Sequence, residues 1–207
     1  MNLTEKSIYP FFETIRIEAN QVELTAYHQR RLDHVFRSFY PGHKSFDLNA
    51  VLVDRLNDLD GIVKCRFQYN SLKYKIEMSA YRKRNIDKIH VVNADNLVYA
   101  FKYNNRDEID QYTDQFTQNE DCLFAVNGRI TDTSYGNILF SKDDKWYTPL
   151  YPLFYGIQRA NLLSSNRIET RDILIGDIQV YDRIKIINAM MPPKDAISLD
   201  VSSIFLS

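Results

Sequence analysis

Lys102 stands at a seam in the stretch "NLVYAFKYNNRDEID" (96–110), where an apolar, strand-like run meets a polar helix start, with Tyr103 beside it and Arg106 four residues on. A lysine amine held at the edge of a core can attack carbonyl compounds covalently. The same residue can equally mark the end of an ordinary strand. "GRITDTSYGNILF" (128–140) gathers Asp132, two hydroxyls, Gly136 and Asn137 in a tight segment, which also reads as a hairpin turn with its usual polar residues. In "YGIQRANLL", Gly156 precedes an amphipathic helix whose first backbone N–H groups form a candidate phosphate cradle. In "YHQRRL", Arg30 and Arg31 point about 100° apart, so one can be solvated while the other turns inward. An inward arginine takes an anionic partner, either a carboxylate or a phosphate. The local alternative is an ion pair with Asp33 or Glu23. Taken singly, none of these features separates chemistry from packing.

The elements that would position them follow from periodicity. "FFETIRIEANQVEL" alternates around Ala19-Asn20 and reads as a hairpin. Thr25 is placed to cap a helix "AYHQRRLDHVFRSFY" with Leu32, Val35, Phe36 and Phe39 on one apolar face, stopped by Pro41-Gly42. A weaker helix covers roughly 48–58, followed by strands "GIVKCRFQYN", "KYKIEMSAY" and "IDKIHVV". "NADN" (93–96) is the candidate linker. Beyond it the pattern predicts a strand at 97–102, a helix at 106–117 and a strand at 121–126 with an Asn127-Gly128 hairpin turn. Strands near 137–141 and 145–148, a helix from Gly156 and a late strand "RIKIINAM" complete the pattern. Runs of strands and helices of this kind make an α+β chain. The expected division is a small N-terminal domain, 1–93, and a larger C-terminal one, 97–207. Three of the six glycines, Gly128, Gly136 and Gly156, lie between the hairpin turn and the helix start, which marks where backbone approaches a ligand closely.

The 207 residues, 44% hydrophobic and 26% charged, suffice for one large or two small cores. A net charge of −1 carries no electrostatic footprint for nucleic acid. The opening "MNLTEKSIYP" lacks the basic and apolar regions of a signal peptide, and no apolar run approaches a membrane span, so a cytoplasmic protein is expected. Cys65 and Cys122 have no CxxC spacing, which indicates neither a disulfide framework nor a metal site.

Six motifs in order resemble the class IV pyridoxal-phosphate (PLP) enzymes: branched-chain aminotransferases, D-amino-acid aminotransferases and aminodeoxychorismate lyases. "FETIRI", from Phe12 to Arg16, looks like the family's opening strand, and His28 with Arg31-Leu32 matches its H-x-x-R-L helix. Lys102 falls at the Schiff-base position, and Asp132 with Asn137 matches the acidic segment. Thr148-Pro149 with Gly156 to Arg159 is similar to its TP…G-x-x-R stretch, and "INAMMP" resembles the late strand of the lyases. The likeness spans residues 11 to about 193.

The resemblance implies a D-amino-acid aminotransferase-like fold with PLP in an interdomain cleft, and a homodimer. It implies that Lys102 holds PLP covalently and moves the substrate proton. Asp132 would keep the ring nitrogen protonated, with Asn137 in the same segment. Arg31, the N–H groups of Ile157 and Gln158 after Gly156, and Asn188 would take the phosphate. Arg16, Tyr103 and Arg106 are the substrate-side candidates. Asp132 replaces the family's more usual Glu, and Gln158 stands where Thr, Ser or Met is common. "KYNNR" and "NAMMP" lean toward a lyase converting 4-amino-4-deoxychorismate to 4-aminobenzoate and pyruvate, a step toward folate. The alternatives are a branched-chain or D-amino-acid aminotransferase, or a non-catalytic dimeric scaffold.

Overall fold

The computed structural model describes residues 8–57 and 59–206, so the opening stretch read for a signal peptide lies largely outside the described residues. The chain divides into two compact units. The first holds residues up to Arg82 together with Phe101–Asn105, and the second holds Lys83–Ala100 and Arg106 onward. The expected boundary at 93–97 is therefore corrected. The strand "KIHVVN" (β5, Lys88–Asn93) pairs in parallel with a strand at 120–126, which places it in the second unit's sheet.

The first unit is built on a four-stranded sheet ordered β2-β1-β3-β4, from β1 (Phe11–Glu18), β2 (Gln21–Val22), β3 (Ile62–Tyr69) and β4 (Tyr74–Ala80). The expected hairpin is present, because Ala19 and Asn20 both adopt positive φ (50° and 59°), the twist that a two-residue turn needs. Helix α1 (Thr25–Phe39) buries His28, Leu32, Val35 and Phe36, the i, i+4, i+7, i+8 stripe, against Phe11, Ile15 and Ile17 of β1 and the inward residues of β3. Two details are corrected. Leu24, in the left-handed region, occupies the cap position, and the Thr25 hydroxyl donates to the Val22 carbonyl instead. Phe39 is 42% exposed, although its ring leans on Phe11 and Phe101 at 4.8 Å. The weaker helix shortens to α2 (Leu48–Leu52) and one further 3₁₀ turn, opened by Asp47, whose carboxylate accepts from Asn49 and Ala50 N–H.

The expected strand at 97–102 does not form. Leu97 and Tyr99 are buried while Val98 is exposed, so the alternation is real, but this stretch has no ladder partner until Tyr103 bridges Phe11. The helix at 106–117 is shorter than expected, α3 (Asp107–Thr113).

The second unit carries a mixed nine-stranded sheet. Its main path joins β10 (Glu169–Arg171), β9 (Lys145–Pro149), β8 (Asn137–Lys142), β7 (Arg129–Thr133), β6 (Glu120–Val126), β5 and β13 (Ile204–Leu206). β11 (Arg183–Ile187) also pairs with β8 and carries β12 (Ile197–Asp200). β11 ends three residues short of the expected strand, because residues 188–191 form a turn. Helix α4 (Ile157–Ser164) starts at Gly156 as its spacing predicts. No helix among the described residues is long and apolar enough to cross a membrane.

Candidate active site

β1 alternates, and its two faces have different chemistry. Phe11, Glu13, Ile15 and Ile17 face α1, while Phe12, Thr14 and Arg16 face away from it. The antiparallel register adds Lys64, Arg66 and Gln68 of β3 to the second face. The Tyr103–Phe11 bridge adds a short third partner. Phe12 N–H donates to the Lys102 carbonyl at 3.1 Å and Asn104 N–H to the Pro10 carbonyl at 2.8 Å. Tyr103 therefore packs with the core aromatics, whereas Lys102 and Asn104 project on the face of Phe12 and Arg66. The Lys102 Nζ lies 4.5 Å from the Phe12 ring centroid, and the Arg66 guanidinium 3.9 Å from it. Asn104 accepts from Arg66 Nη2 and donates to Gln68 Oε1 (2.9 Å) and the Tyr9 carbonyl, which fixes the backbone two residues beyond Lys102. Arg16 is almost fully buried and pairs with Glu18 (2.8 Å) and Glu23 (3.5 Å).

On the α1 side of β1, Glu13 is buried with two α1 residues one turn apart. Arg31 Nε donates to Glu13 Oε1 at 2.8 Å and its Nη2 to Oε2, while His28 Nδ1 donates to Oε2. The inward arginine expected on this helix is thus Arg31. Its carboxylate partner is Glu13, not Asp33 or Glu23. Arg30 is exposed and stacks on Tyr27 at 4.3 Å. Burial alone would raise the Glu13 pKa, but the Arg31 charge and the bonds from His28 and Arg31 outweigh it and hold it at about 2. Burial lowers the His28 pKa despite Glu13, so the imidazole is neutral and its Nδ1 carries the proton.

The second unit brings Asp132, Asn137, Gly156, Ile157 and Gln158 together. Asp132 and Asn137 are paired across β7 and β8. Asn137 Nδ2 donates to Asp132 Oδ1 (2.6 Å) and to the Phe154 carbonyl (2.9 Å), and Phe154 N–H donates to Asp132 Oδ2 (2.8 Å). This latch fixes the loop that leads into α4. Glycine is required at 156, since a Cβ there would stand 2.0 Å from Asn137 Oδ1. Because Gly156 has no side chain to cap α4, the N–H groups of Ile157 and Gln158 open the helix without one. Arg159 holds the preceding strand end by donating to Thr148 Oγ1 (3.2 Å) and the Pro149 carbonyl (2.8 Å). Burial pushes Asp132 up to about 6 against the Phe154 and Asn137 donors and the more distant Arg159 charge.

Two expected residues have structural work in the same unit. Asn188 Oδ1 accepts from Met190 and Met191 N–H, and its Nδ2 donates to the Tyr135 carbonyl, so the side chain closes the 188–191 turn. Arg106 caps α3 and donates to the Ser134 carbonyl at 2.9 Å, two residues past Asp132. Sequence reasoning gave no role to Glu13, Arg66 or Asn104. For Glu13 the signal was present, because a carboxylate at the same parity as Phe11, Ile15 and Ile17 must face the core and needs a cation there.

Each unit by itself carries groups that suit PLP. In the second, a buried carboxylate held by neutral donors suits a protonated ring nitrogen and an uncapped helix start suits a phosphate; in the first, the Lys102 carbonyl is held by Phe12 N–H.

Comparison with known proteins gives concordant matches. The family model "Amino-transferase class IV" matches residues 66–193. An uncharacterized protein of Haemophilus influenzae is 34% identical over 185 residues, 88% of this chain and 98% of its own. A solved structure from Haemophilus somnus, named a candidate 4-amino-4-deoxychorismate lyase, is 32% identical with a TM-score of 0.83, covering 88% of this chain and 96% of that one. A candidate amino-acid aminotransferase from Mesorhizobium loti shares the fold at 16% identity and a TM-score of 0.77, over 96% of this chain and all of that one.

Proposed function

We infer the reaction from one premise: the chain belongs to the class IV aminotransferases, a family of PLP-dependent enzymes. Within it, the reading is a lyase that converts 4-amino-4-deoxychorismate to 4-aminobenzoate and pyruvate, which would place a cytoplasmic homodimer in the supply of a folate precursor. The segment from Lys102 to Arg106 carries this choice, because its lysine and arginine spacing follows the lyases. The "NAMMP" turn and the likeness to the Haemophilus somnus protein support it.

Bound PLP supplies an electron sink for the charge left when the substrate's C–H proton departs. Lys102 takes that proton from the amine-bearing carbon, and its backbone clamp to β1 limits the amine to the reach of its own side chain. Asp132 holds the proton on the ring nitrogen. Arg31, oriented by Glu13, contributes to the phosphate, and the Ile157 and Gln158 N–H groups contribute from α4. Loss of pyruvate leaves an aromatic ring, so aromatisation drives the step forward and the protein mainly orients the bond that breaks.

The test is pyruvate release from 4-amino-4-deoxychorismate by PLP-loaded protein, with Lys102→Ala as control. Lys102→Ala is expected to lose at least about 1,000-fold in rate and all borohydride-fixed cofactor. Release that survives the substitution, or cofactor fixed to another lysine, would remove Lys102 from the role. Loaded protein that exchanges amino groups between amino and keto acids without releasing pyruvate would be an aminotransferase. Protein that takes up no PLP would be the scaffold.

A further inference from the structure

We propose that Asp121 is a positioning residue, which sets Asp132 against Asn137 by holding Ser134. Its bearing on turnover rests on the reading above. The placement of Asp132 does not, and it is measurable in cofactor-free protein.

The sheet by itself holds Asp132 weakly. On one side, β7 meets β8 at a single rung, Asp132 opposite Asn137, whereas β8 runs alongside β11 from Asn137 to Ser141. On the other side, the β6–β7 register slips between the Leu123–Thr133 and Ala125–Ile130 pairs, so Thr131 and Asp132 lie in a bulge. A bulge leaves a residue unpaired and re-aims its side chain. The offset between Asp132 and Asn137 therefore depends on the connection Thr133–Gly136, which is tied down along its length. Thr133 Oγ1 accepts from the Tyr135 and Gly136 N–H groups at 3.2 and 3.1 Å. Arg106 donates to the Ser134 carbonyl at 2.9 Å, and Asn188 to the Tyr135 carbonyl at 3.1 Å. Gly136 packs so tightly on the end of β11 that a Cβ there would stand 2.3 Å from the Ile187 oxygen. The Ser134 hydroxyl donates to Asp121 Oδ1, which ties the connection to β6, the strand on the far side of β7 from β8.

Asp121 is itself buried on poor terms. It is 1% exposed, its second donor, the Cys122 N–H at 2.9 Å, meets the same oxygen as Ser134, and Oδ2 has no hydrogen-bond partner among the described residues. Arg84 acts on it through charge, without an ion pair among the described residues. A carboxylate buried this way costs stability, so its place in the sheet is explained by what it holds. What it holds is the connection that carries Asp132 at one end and Asn137 at the other.

The test reads Asp132 directly. Cofactor-free full-length protein with isotope-labelled aspartate carboxyls is titrated by NMR, the Asp132 signal being identified by its loss in Asp132→Asn. Wild type should titrate at about 6. Ser134→Ala cuts the tether without altering either carboxylate. It should raise the Asp132 midpoint by about half a unit or more, as the Asn137 and Phe154 donors drift from it. Ser134→Thr keeps the hydroxyl and should restore the wild-type midpoint, and Asp121→Ala should match Ser134→Ala. Ile178→Val, a small cavity elsewhere in the second unit's core, should lower stability and leave the midpoint in place. A midpoint that stays put in Ser134→Ala, or that moves as far in Ile178→Val, overturns the proposal. If Asp121→Ala does not fold, the two Ser134 variants decide. Turnover is read on PLP-loaded samples, where Ser134→Ala should lose about tenfold in kcat with KM unchanged. Wild type that releases no pyruvate would defeat the lyase reading and leave the midpoint to judge Asp121, whereas normal release with an unmoved midpoint in Ser134→Ala would defeat the Asp121 proposal alone.

Discussion

Glu13 and Asp132 are both buried carboxylates on sheet strands, one in each unit, and they are wired in opposite ways. Glu13 is gripped on two oxygens by a permanent cation, Arg31, and stays ionised down to about pH 2. Asp132 is gripped on two oxygens by an amide and a backbone N–H, with only the more distant Arg159 for charge, and titrates at about 6. The difference teaches how burial is used. Neutral donors orient a carboxylate without satisfying its charge, so Asp132 remains responsive to a cation brought from outside the chain. A guanidinium satisfies the charge internally, so Glu13 is structural and fixes one edge of Arg31. Opposite signs of pH dependence follow. Because the folded pKa of Glu13 lies below its unfolded value, its contribution is present above about pH 4.5 and is lost as pH falls toward about 2. Because the folded pKa of Asp132 lies above its unfolded value, its contribution is present below about pH 4 and is lost as pH rises through about 6.

The sharpest way to break the comparison is Glu13→Gln. It removes the buried charge to which both Arg31 and His28 are bonded and should cost about 3–5 kcal/mol in denaturant unfolding at pH 7. It should also remove the loss of stability that wild type shows between about pH 4.5 and 2. An equal pH slope in both proteins would show that Glu13 is not the acid-labile group. Asp132→Asn tests the other arm. Cofactor-free wild type should lose about 2 kcal/mol between pH 4 and 6 from this group, and the Asn variant should lack that component. PLP-loaded Asp132→Asn should turn over about 100-fold more slowly, and unchanged turnover would place another residue at the ring nitrogen. Gly156→Ala drives Asn137 away from Asp132 and should cost about 1–3 kcal/mol while raising the Asp132 midpoint further above 6. A stable variant with an unmoved midpoint would separate the latch from the titration. The smallest effect concerns Arg31 itself: Arg31→Ala should weaken PLP affinity about tenfold more than Arg30→Ala, and the reverse order would assign the other face of α1 to the cofactor.

Local rules made much of this legible. The hairpin at Ala19-Asn20, the Leu32/Val35/Phe36 stripe of α1, the Asn127-Gly128 turn and the helix start after Gly156 are each decided by residues close in sequence. What depended on a distant partner was not legible. Residues 97–102 alternate like a strand, but a strand exists only where a neighbour donates and accepts, and here the neighbour is β1, met first at Tyr103. The domain boundary moved for the same reason, since β5 is claimed by its parallel pairing with β6. Lys102, Asp132 and Gly156 were singled out from type and spacing, and the structure sets Lys102 beside Phe12 and gathers Asp132 and Gly156 around Asn137. Asn188 was expected at the phosphate from the family resemblance alone; that both ends of its side chain close the 188–191 turn was not legible. The stacking of Arg66 on Phe12 was not legible, because Phe12 lies 54 positions earlier in the chain and becomes a neighbour only through the β1–β3 register.

The five-residue return at Phe101–Asn105 has a consequence for how the protein is made. The first unit cannot be completed by its own contiguous sequence, because the partner that covers Phe11 and Phe12 at the β1 edge follows β5, a strand of the other unit, in the chain. As the chain leaves the ribosome, that edge stays open until residue 104 arrives, and a fragment ending at Arg82 would expose it permanently as a template for pairing with other chains. The residues that close the edge are the ones that carry Lys102. The amine therefore reaches its place on the sheet in the same event that seals the first unit, so a chain stopped before that point has neither a finished edge nor the lysine.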